Sequence, residues 1–216
     1  MNERQILNRY SGKSWADVDL IGIDLETTGL SPWADEITEV AVFVGRHTDN
    51  GIDCPLSFSS LCNVTRPIPP RIEELTGIYT SFLQTCPDFV EVWANKIDPL
   101  TTGKVFPLWV AHNAEFEANF LSHHLPYGLW NSPYAWWLDT MILAKAADRE
   151  TRRFAKGYKL MDLAERFEIQ PRGPLHRAET DADLCLRVLQ RLIQHGQWQT
   201  PVDALMAQRW WMDNAR

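Results

Sequence analysis

Several things are missing from this chain, and each absence narrows the field. No apolar run approaches the ~20 residues that a membrane-spanning helix needs, so no membrane partner is expected. The opening Met1-Asn2-Glu3-Arg4-Gln5 is polar and no apolar stretch follows it, so a secretory leader is not expected either. The four cysteines, Cys54, Cys62, Cys86 and Cys185, are dispersed and form no C-x-x-C pair. Reduced thiols and a cytoplasmic location are the corresponding expectation. Basic charge is also short: the formal net charge is −7. A protein that coats long nucleic acid draws on many Lys and Arg contacts to phosphate, whereas an enzyme gripping a few nucleotides does not. Carboxylates gathered around metal ions also inflate the negative count when the ions are left out. There is no internal repeat and no low-complexity tract.

What is present reads as one α/β layer. Asp19 to Glu26 and the β-branched Ile37 to Val44 read as strands, with a third over Leu56 to Thr65. Arg66-Pro67-Ile68-Pro69-Pro70 ends this meander, since proline offers no donor to a ladder. Helical patterns follow at 71–76 and 88–96. Val105 to Ala111 is a short buried strand leading into a helix over 114–125, which Pro126 stops. Tyr134 to Leu138 leads in the same way into a helix over 139–147. Helices at 159–167 and 179–194 and a Trp-rich helix at 202–213 complete the chain, and early strands followed by alternating strand and helix indicate a mixed sheet. Residues 1–18 read as a polar leader with one short amphipathic piece around Ile6-Leu7.

Acidic residues occupy odd places in this scheme. Side chains alternate along a strand, so Ile21, Ile23 and Leu25 share one face while Gly22, Asp24 and Glu26 share the other. Asp24 and Glu26 thus emerge together at the strand's carboxyl end, where open α/β sheets place ligands. Two adjacent buried negative charges are costly without a cation; a solvated strand end before a Thr-Thr-Gly turn is the plainer alternative. On the helix after Ala114, Glu117 aligns with Phe120, Leu121 and Leu125, and Glu115 with Ala118 and Asn119. Glu117 is the candidate and Glu115 is solvated. Asp181 heads the stripe of Leu184, Val188 and Leu192. His176 is five residues earlier, a turn of about 140° in a helix, so it reaches the same face only from a loop, which Gly173 and Pro174 supply. A surface or capping role is the ordinary alternative for a lone histidine.

Taken together, Asp-x-Glu at a strand end, His112-Asn113-Ala114 with Phe116-Glu117 opening a helix, and His176 with Asp181-Ala182 opening another resemble the DEDDh exonuclease superfamily. This group, also called DnaQ-like, includes the proofreading subunit of bacterial DNA polymerase III, RNase T and oligoribonuclease. Pro67-Ile68-Pro69-Pro70 through Thr76-Gly77-Ile78, Leu138-Asp139-Thr140 and Lys159-Leu160 through Leu163-Ala164 resemble further family segments. The resemblance runs from Asp19 to Leu192.

It implies a ribonuclease H-like fold, a five-stranded mixed sheet flanked by helices, and 3′→5′ hydrolysis at single-stranded nucleic-acid ends with release of nucleoside 5′-monophosphates. It implies two hard divalent ions, Mg²⁺ or Mn²⁺. Carried over by position, Asp24 bridges both ions, Glu26 and Asp181 hold the ion that binds the attacking water, and His176 is the general base. The second ion stabilises the leaving 3′ oxygen. Glu117 stands where the family usually has Asp, and a displacement of ~1 Å can cost a hundredfold in rate. Activity is expected to survive, with a shifted metal preference.

Thr27, Thr28, Gly29 and Leu30 resemble the turn that contacts the terminal nucleotide, with His112, Asn113 and Phe116 beside it; Phe116 fits the core equally well. Arg149, Arg152, Arg153, Lys156 and Lys159 form the most basic stretch, either a phosphate clamp or a solvated helix end. His112 with His123-His124 is discounted as a transition-metal site, because the last two face different ways. Trp136-Trp137 and Trp210-Trp211 close the core or dock the last helix. Gln199-Thr200-Pro201 lies where the proofreading subunit carries a sliding-clamp peptide, but Asp203 spoils the apolar pattern. The division expected is a leader over 1–18, an exonuclease domain over 19–196 and a terminal helix over 197–216 packed on it. Single-stranded DNA is the leading substrate. An exoribonuclease of the RNase T or oligoribonuclease kind and a catalytically weak end-binding module are the alternatives. A DNA polymerase or repair partner and a homodimer are the partners that the resemblance admits.

Overall fold

The computed structural model describes residues 3–104, 106–125, 137–152 and 156–214. Its centre is a five-stranded mixed sheet of order β3-β2-β1-β4-β5. The strands are β1 (Asp19–Thr27), β2 (Ile37–Thr48), β3 (Gly51–Leu61), β4 (Pro107–Ala111) and β5 (Trp137–Asp139). The first three form an antiparallel meander, and β4 and β5 run parallel to β1. The helices are α1 (Glu3–Tyr10), α2 (Pro70–Thr76), α3 (Thr80–Leu83), α4 (Phe89–Val92), α5 (Asp98–Thr101), α6 (Glu115–His124), α7 (Thr140–Thr151), α8 (Leu160–Arg166), α9 (Ala178–His195) and α10 (Pro201–Asn214).

Strand alternation divides the core. Ile21, Ile23 and Leu25 join Val40, Val42, Trp93, Phe120 and Leu121 on one face. Leu20, Leu108, Val110 and Leu138 join α7, α8, α9 and α10 on the other. Gly22 brings α9 close to the second face: a Cβ there would stand 2.6 Å from Leu186 Cδ1. That approach sets the head of α9 beside the end of β1.

The short amphipathic piece expected around Ile6-Leu7 is α1, which buries Ile6 and Tyr10, and their spacing of four marks one helical face. The Tyr10 hydroxyl donates to Pro107 O at 2.9 Å, and Trp15 Nε1 to Trp198 O at 3.0 Å. The hairpin between β2 and β3 is longer than read, because Asp49-Asn50 make a tight turn closed by the Thr48–Gly51 pair. Gly51, with a φ of 122°, takes the positive-φ backbone that follows this turn and that a residue without Cβ accepts. β3 then ends at Leu61, where Cys62 N turns to Thr38 O and Asn63 N to Pro87 O. The helical stretch read at 88–96 is α4, a π turn over Trp93–Ile97 and α5. Val105, Pro126, Tyr134 to Trp136 and Arg153 lie outside the described residues. Among the described residues, no helix is long and apolar enough to cross a membrane.

Candidate active site

Asp24 and Glu26 end β1 on the face turned to α9, both half-buried. The strand pairing sets Glu26 opposite Glu39 of β2. Glu117 rises from the first turn of α6 and is buried, while Glu115 is exposed. The start of α6 is fixed by Asp139 at the end of β5, whose carboxylate accepts Asn113 N at 3.2 Å and Ala114 N at 3.0 Å. The same carboxylate caps α7 through Met141 N and Ile142 N. Gln208 of α10 holds this junction by accepting from Asp139 N at 2.8 Å and donating to Trp137 O at 3.0 Å.

His176 lies on the loop before α9 with a left-handed φ of 57°. Its backbone N donates to Asp181 Oδ2 at 3.2 Å, which folds the loop back over the first turn of the helix. Glu26, His176 and Asp181 each present a ligand atom, and these atoms lie within 4.8 Å of one another. Arg177 secures the arrangement from behind. Its Nε and Nη2 donate to both oxygens of buried Glu39, and Ala178 N donates to Glu39 Oε2 at 3.0 Å.

The electrostatics of these carboxylates are coupled. Burial pushes the Asp24 carboxyl well up, and the charges of Glu117, Glu26, Asp181 and Glu39 add to the push. Glu26 is pushed up to about 8 by burial, then by Asp181 and Glu39, with Arg177 opposing. Glu117 is raised by burial and by the charges of Asp139 and Glu26, with its own backbone opposing. Asp181 is raised by burial, while the charge and backbone N–H of His176 pull it down. The Oε2 atom of Glu117 is buried without a hydrogen-bond partner. Hard oxygen donors, mutual repulsion and an orphaned carboxylate oxygen fit hard divalent cations.

The remaining candidates fall around this centre. In the turn after β1, Thr27 Oγ1 donates to Gly29 O at 2.5 Å and Thr28 N to Glu36 O at 2.9 Å. Leu30 is 85% exposed and available for contact. Phe116 is half-buried, its ring 4.7 Å from that of Phe120. His112 Nδ1 lies 2.9 Å from Thr140 Oγ1. Burial takes its pKa down to about 4, against a backbone hydrogen bond at Tyr158, so the ring is neutral. Asn113 is exposed with φ 67°. Of the basic stretch, Arg149 lies 3.3 Å over the Trp210 ring and Arg152 closes α7. Trp137 is buried in the core.

The residues that sequence reasoning missed are Glu39 and Arg177, together with the bracing role of Asp139. A lone acid in the apolar run of β2 and an arginine adjoining His176 were the available signals.

The chain matches the RNase_T exonuclease family model over residues 21–189. It is 33% identical over 177 residues to the 3′-5′ exonuclease DinG of Bacillus subtilis, covering 80% of this chain and 18% of DinG. It is 30% identical over 178 residues to DNA polymerase III subunit epsilon of Treponema pallidum, covering 82% of this chain and 78% of epsilon. The chain therefore spans less than a fifth of the length of the DinG relatives. Exonuclease X in complex with 5′ overhanging duplex DNA shares the fold with a TM-score of 0.61 at 24% identity, over 88% of this chain and 99% of that one. The nuclease domain of 3′hExo, a DEDDh family member bound to rAMP, does so with a TM-score of 0.66 at 19% identity, over 82% and 92%. With a family model matched over most of its length, on a mixed sheet that carries three acidic motifs in order, the chain belongs to the RNase_T exonuclease family.

Proposed function

We propose that this chain is a metal-dependent 3′→5′ exonuclease that releases nucleoside 5′-monophosphates from single-stranded DNA ends. The observation that carries the reading is the set of Glu26, His176 and Asp181 atoms gathered within 4.8 Å, beside Asp24 and a Glu117 oxygen with no partner. Asp24, Glu26, Glu117 and Asp181 would hold Mg²⁺ or Mn²⁺, two ions in all. When bound, such ions supply Lewis-acid stabilisation of the phosphoryl oxygens and of the leaving 3′ oxygen. His176 takes the proton of the attacking water at an imidazole nitrogen; its place on an exposed loop leaves the ring open to water. The Glu39–Arg177 pair holds the His176 loop and the head of α9 against β2. The Thr27–Leu30 turn, with His112, Asn113 and Phe116, seats the terminal nucleotide.

A ribose-bearing end is the second substrate, favoured by the rAMP-bound domain that shares this fold. A polymerase or repair partner belongs to the same reading, since the epsilon relative is by name a DNA polymerase III subunit. A cytoplasmic location accords with the four free thiols.

Labelled single-stranded DNA and RNA, incubated with Mg²⁺, with Mn²⁺ and with chelator, test the reading. The expected result is stepwise release of 5′-monophosphates that requires the cation and disappears in Asp24→Ala. Release under chelator, or full activity in Asp24→Ala, overturns the metal-dependent mechanism. Binding without release on any substrate identifies an end-binding module instead.

A further inference from the structure

The loop after β1 carries an indole that the catalytic reading leaves unused. Trp33 is 82% exposed, close to Leu30 in the chain. Its ring meets that of His123 at 4.5 Å and 63°. His123 lies 5.1 Å from His124 at 88°, His124 stacks on Phe120 at 5.8 Å and 7°, and Phe120 lies 4.7 Å from Phe116. A continuous ladder of planar rings thus runs along α6 from the first turn, which bears Glu117, to the solvent face at Trp33. From Glu117 to His123 the helix rises about 9 Å, the spacing of two to three stacked bases at ~3.4 Å.

The loop is braced. Asp35 accepts Ser31 N at 2.9 Å and the Thr28 hydroxyl at 3.3 Å, and its own N donates to Ser31 O at 2.7 Å. His124 Nε2 contacts Asp35 O at 3.0 Å, which ties the loop to the last turn of α6. Gly29 leaves room for this packing, since a Cβ there would stand 2.4 Å from the Asp35 carboxylate and push it aside. Across the loop, Arg66 bonds Ala34 O, pairs through Nε with Glu36 Oε2 at 3.8 Å and stays 63% exposed at its side chain, so a phosphate would share or replace the Glu36 contact. A fixed aromatic face beside an exposed guanidinium suits an unpaired base and the phosphate next to it.

We propose that Trp33, positioned by His123, is a stacking platform for an unpaired base of the scissile strand two or three nucleotides from its 3′ end, with Arg66 taking an adjoining phosphate. The assignment rests on the exonuclease reading above and gives its single-stranded preference a residue and a place on the strand. A base inside a duplex has both faces covered by its neighbours and cannot engage the indole.

The test compares Trp33→Ala and Trp33→Phe with the parent chain on a single-stranded oligodeoxynucleotide and on the p-nitrophenyl ester of thymidine 5′-monophosphate, which has no upstream base. Fluorescence anisotropy in Ca²⁺ measures oligonucleotide binding in parallel. Loss of one stacked base predicts that kcat/KM for the oligonucleotide falls roughly tenfold relative to the ester in Trp33→Ala. Affinity falls alongside, and Trp33→Phe recovers most of both. Unchanged oligonucleotide affinity in Trp33→Ala overturns the platform. So does a change in oligomeric state by sedimentation without a change in affinity, which assigns the indole to a second copy of the chain. If the parent hydrolyses neither substrate, the exonuclease reading fails, and the anisotropy still decides the role of Trp33.

Discussion

At Glu117 a carboxylate stands buried with one oxygen unpaired, raised in pKa by burial and by Asp139 and Glu26. Replacing it by the isosteric amide keeps the shape and removes the cost of either burying a charge or holding a proton above the ordinary carboxylate range. Glu117→Gln is therefore expected to melt a few degrees above the parent in chelator at neutral pH, about 2–4 °C for each kcal/mol of that cost. It should also lose most of the rise in Tm that Mg²⁺ gives the parent, along with its activity. Glu117→Asp restores the usual family residue and should keep equal or higher Mg²⁺-dependent turnover; complete loss in a mononucleotide-release assay would show a site built around the longer side chain. The choice of Glu117 over Glu115 was legible because an acid in line with Phe120 and Leu121 must be buried. Asp139 was legible only as part of a family segment. Its bracing of two helices depends on Asn113 and Ala114, 26 and 25 residues away, coming within reach of its oxygens.

At the scale of elements, the proposed site is three helix or strand ends brought to one point. Asp24 and Glu26 come from β1, Glu117 from α6, and His176 with Asp181 from the loop and head of α9. The joint between sheet and loop is the Glu39–Arg177 pair, with its shortest bond of 2.7 Å. Removing it frees a loop whose histidine already holds φ 57°. Arg177→Ala should lower kcat by ten- to a hundredfold with KM little changed, since ~1 Å of misplacement suffices for that loss. Its stability cost should be about 1–3 kcal/mol, below the ~3–5 of a fully buried pair, because the Arg177 side chain is 37% exposed. Lysine cannot make the bidentate contact, so Arg177→Lys should recover only part of kcat. Equal falls in turnover for Ala and Lys, with no fall in Tm, would contradict a positioning role. This joint was not legible, because alternation along β2 names its faces but not the strand lying opposite. Strand and helix types were legible from their periods. Of residues 3–17 the amphipathic piece around Ile6-Leu7 was legible but its docking was not, since Ile6, Tyr10 and Trp15 are buried against β2, β4, α10 and Trp198, all distant in sequence.

Over the whole molecule, a formal charge of −7 is partly a measure of the carboxylates crowded at one end of the sheet. Without cations the folded chain keeps protons that the unfolded chain gives up. Glu26, pushed up to about 8 from an ordinary 4.5, binds its proton more tightly when folded. The stability this confers is complete below pH 4.5 and is lost as pH rises through about 8. His112, taken down to about 4 from 6.5, acts in the opposite sense: its contribution is present above pH 6.5 and is lost as pH falls through about 4. In chelator, Tm should therefore fall as pH climbs from the region between these limits towards and past 8. Under the proposed metal-dependent reading, divalent cations would compete with those protons for the same oxygens, so binding should strengthen as pH rises. The gain in Tm on adding Mg²⁺ should consequently be small near pH 5, where protons occupy the cluster, and should grow steadily across the Glu26 titration. Thermal melts at fixed ionic strength, with and without Mg²⁺, measure both trends. A gain independent of pH would mean that the carboxylates are already ionised before the metal arrives, and it would move the source of the repulsion away from the β1, α6 and α9 junction.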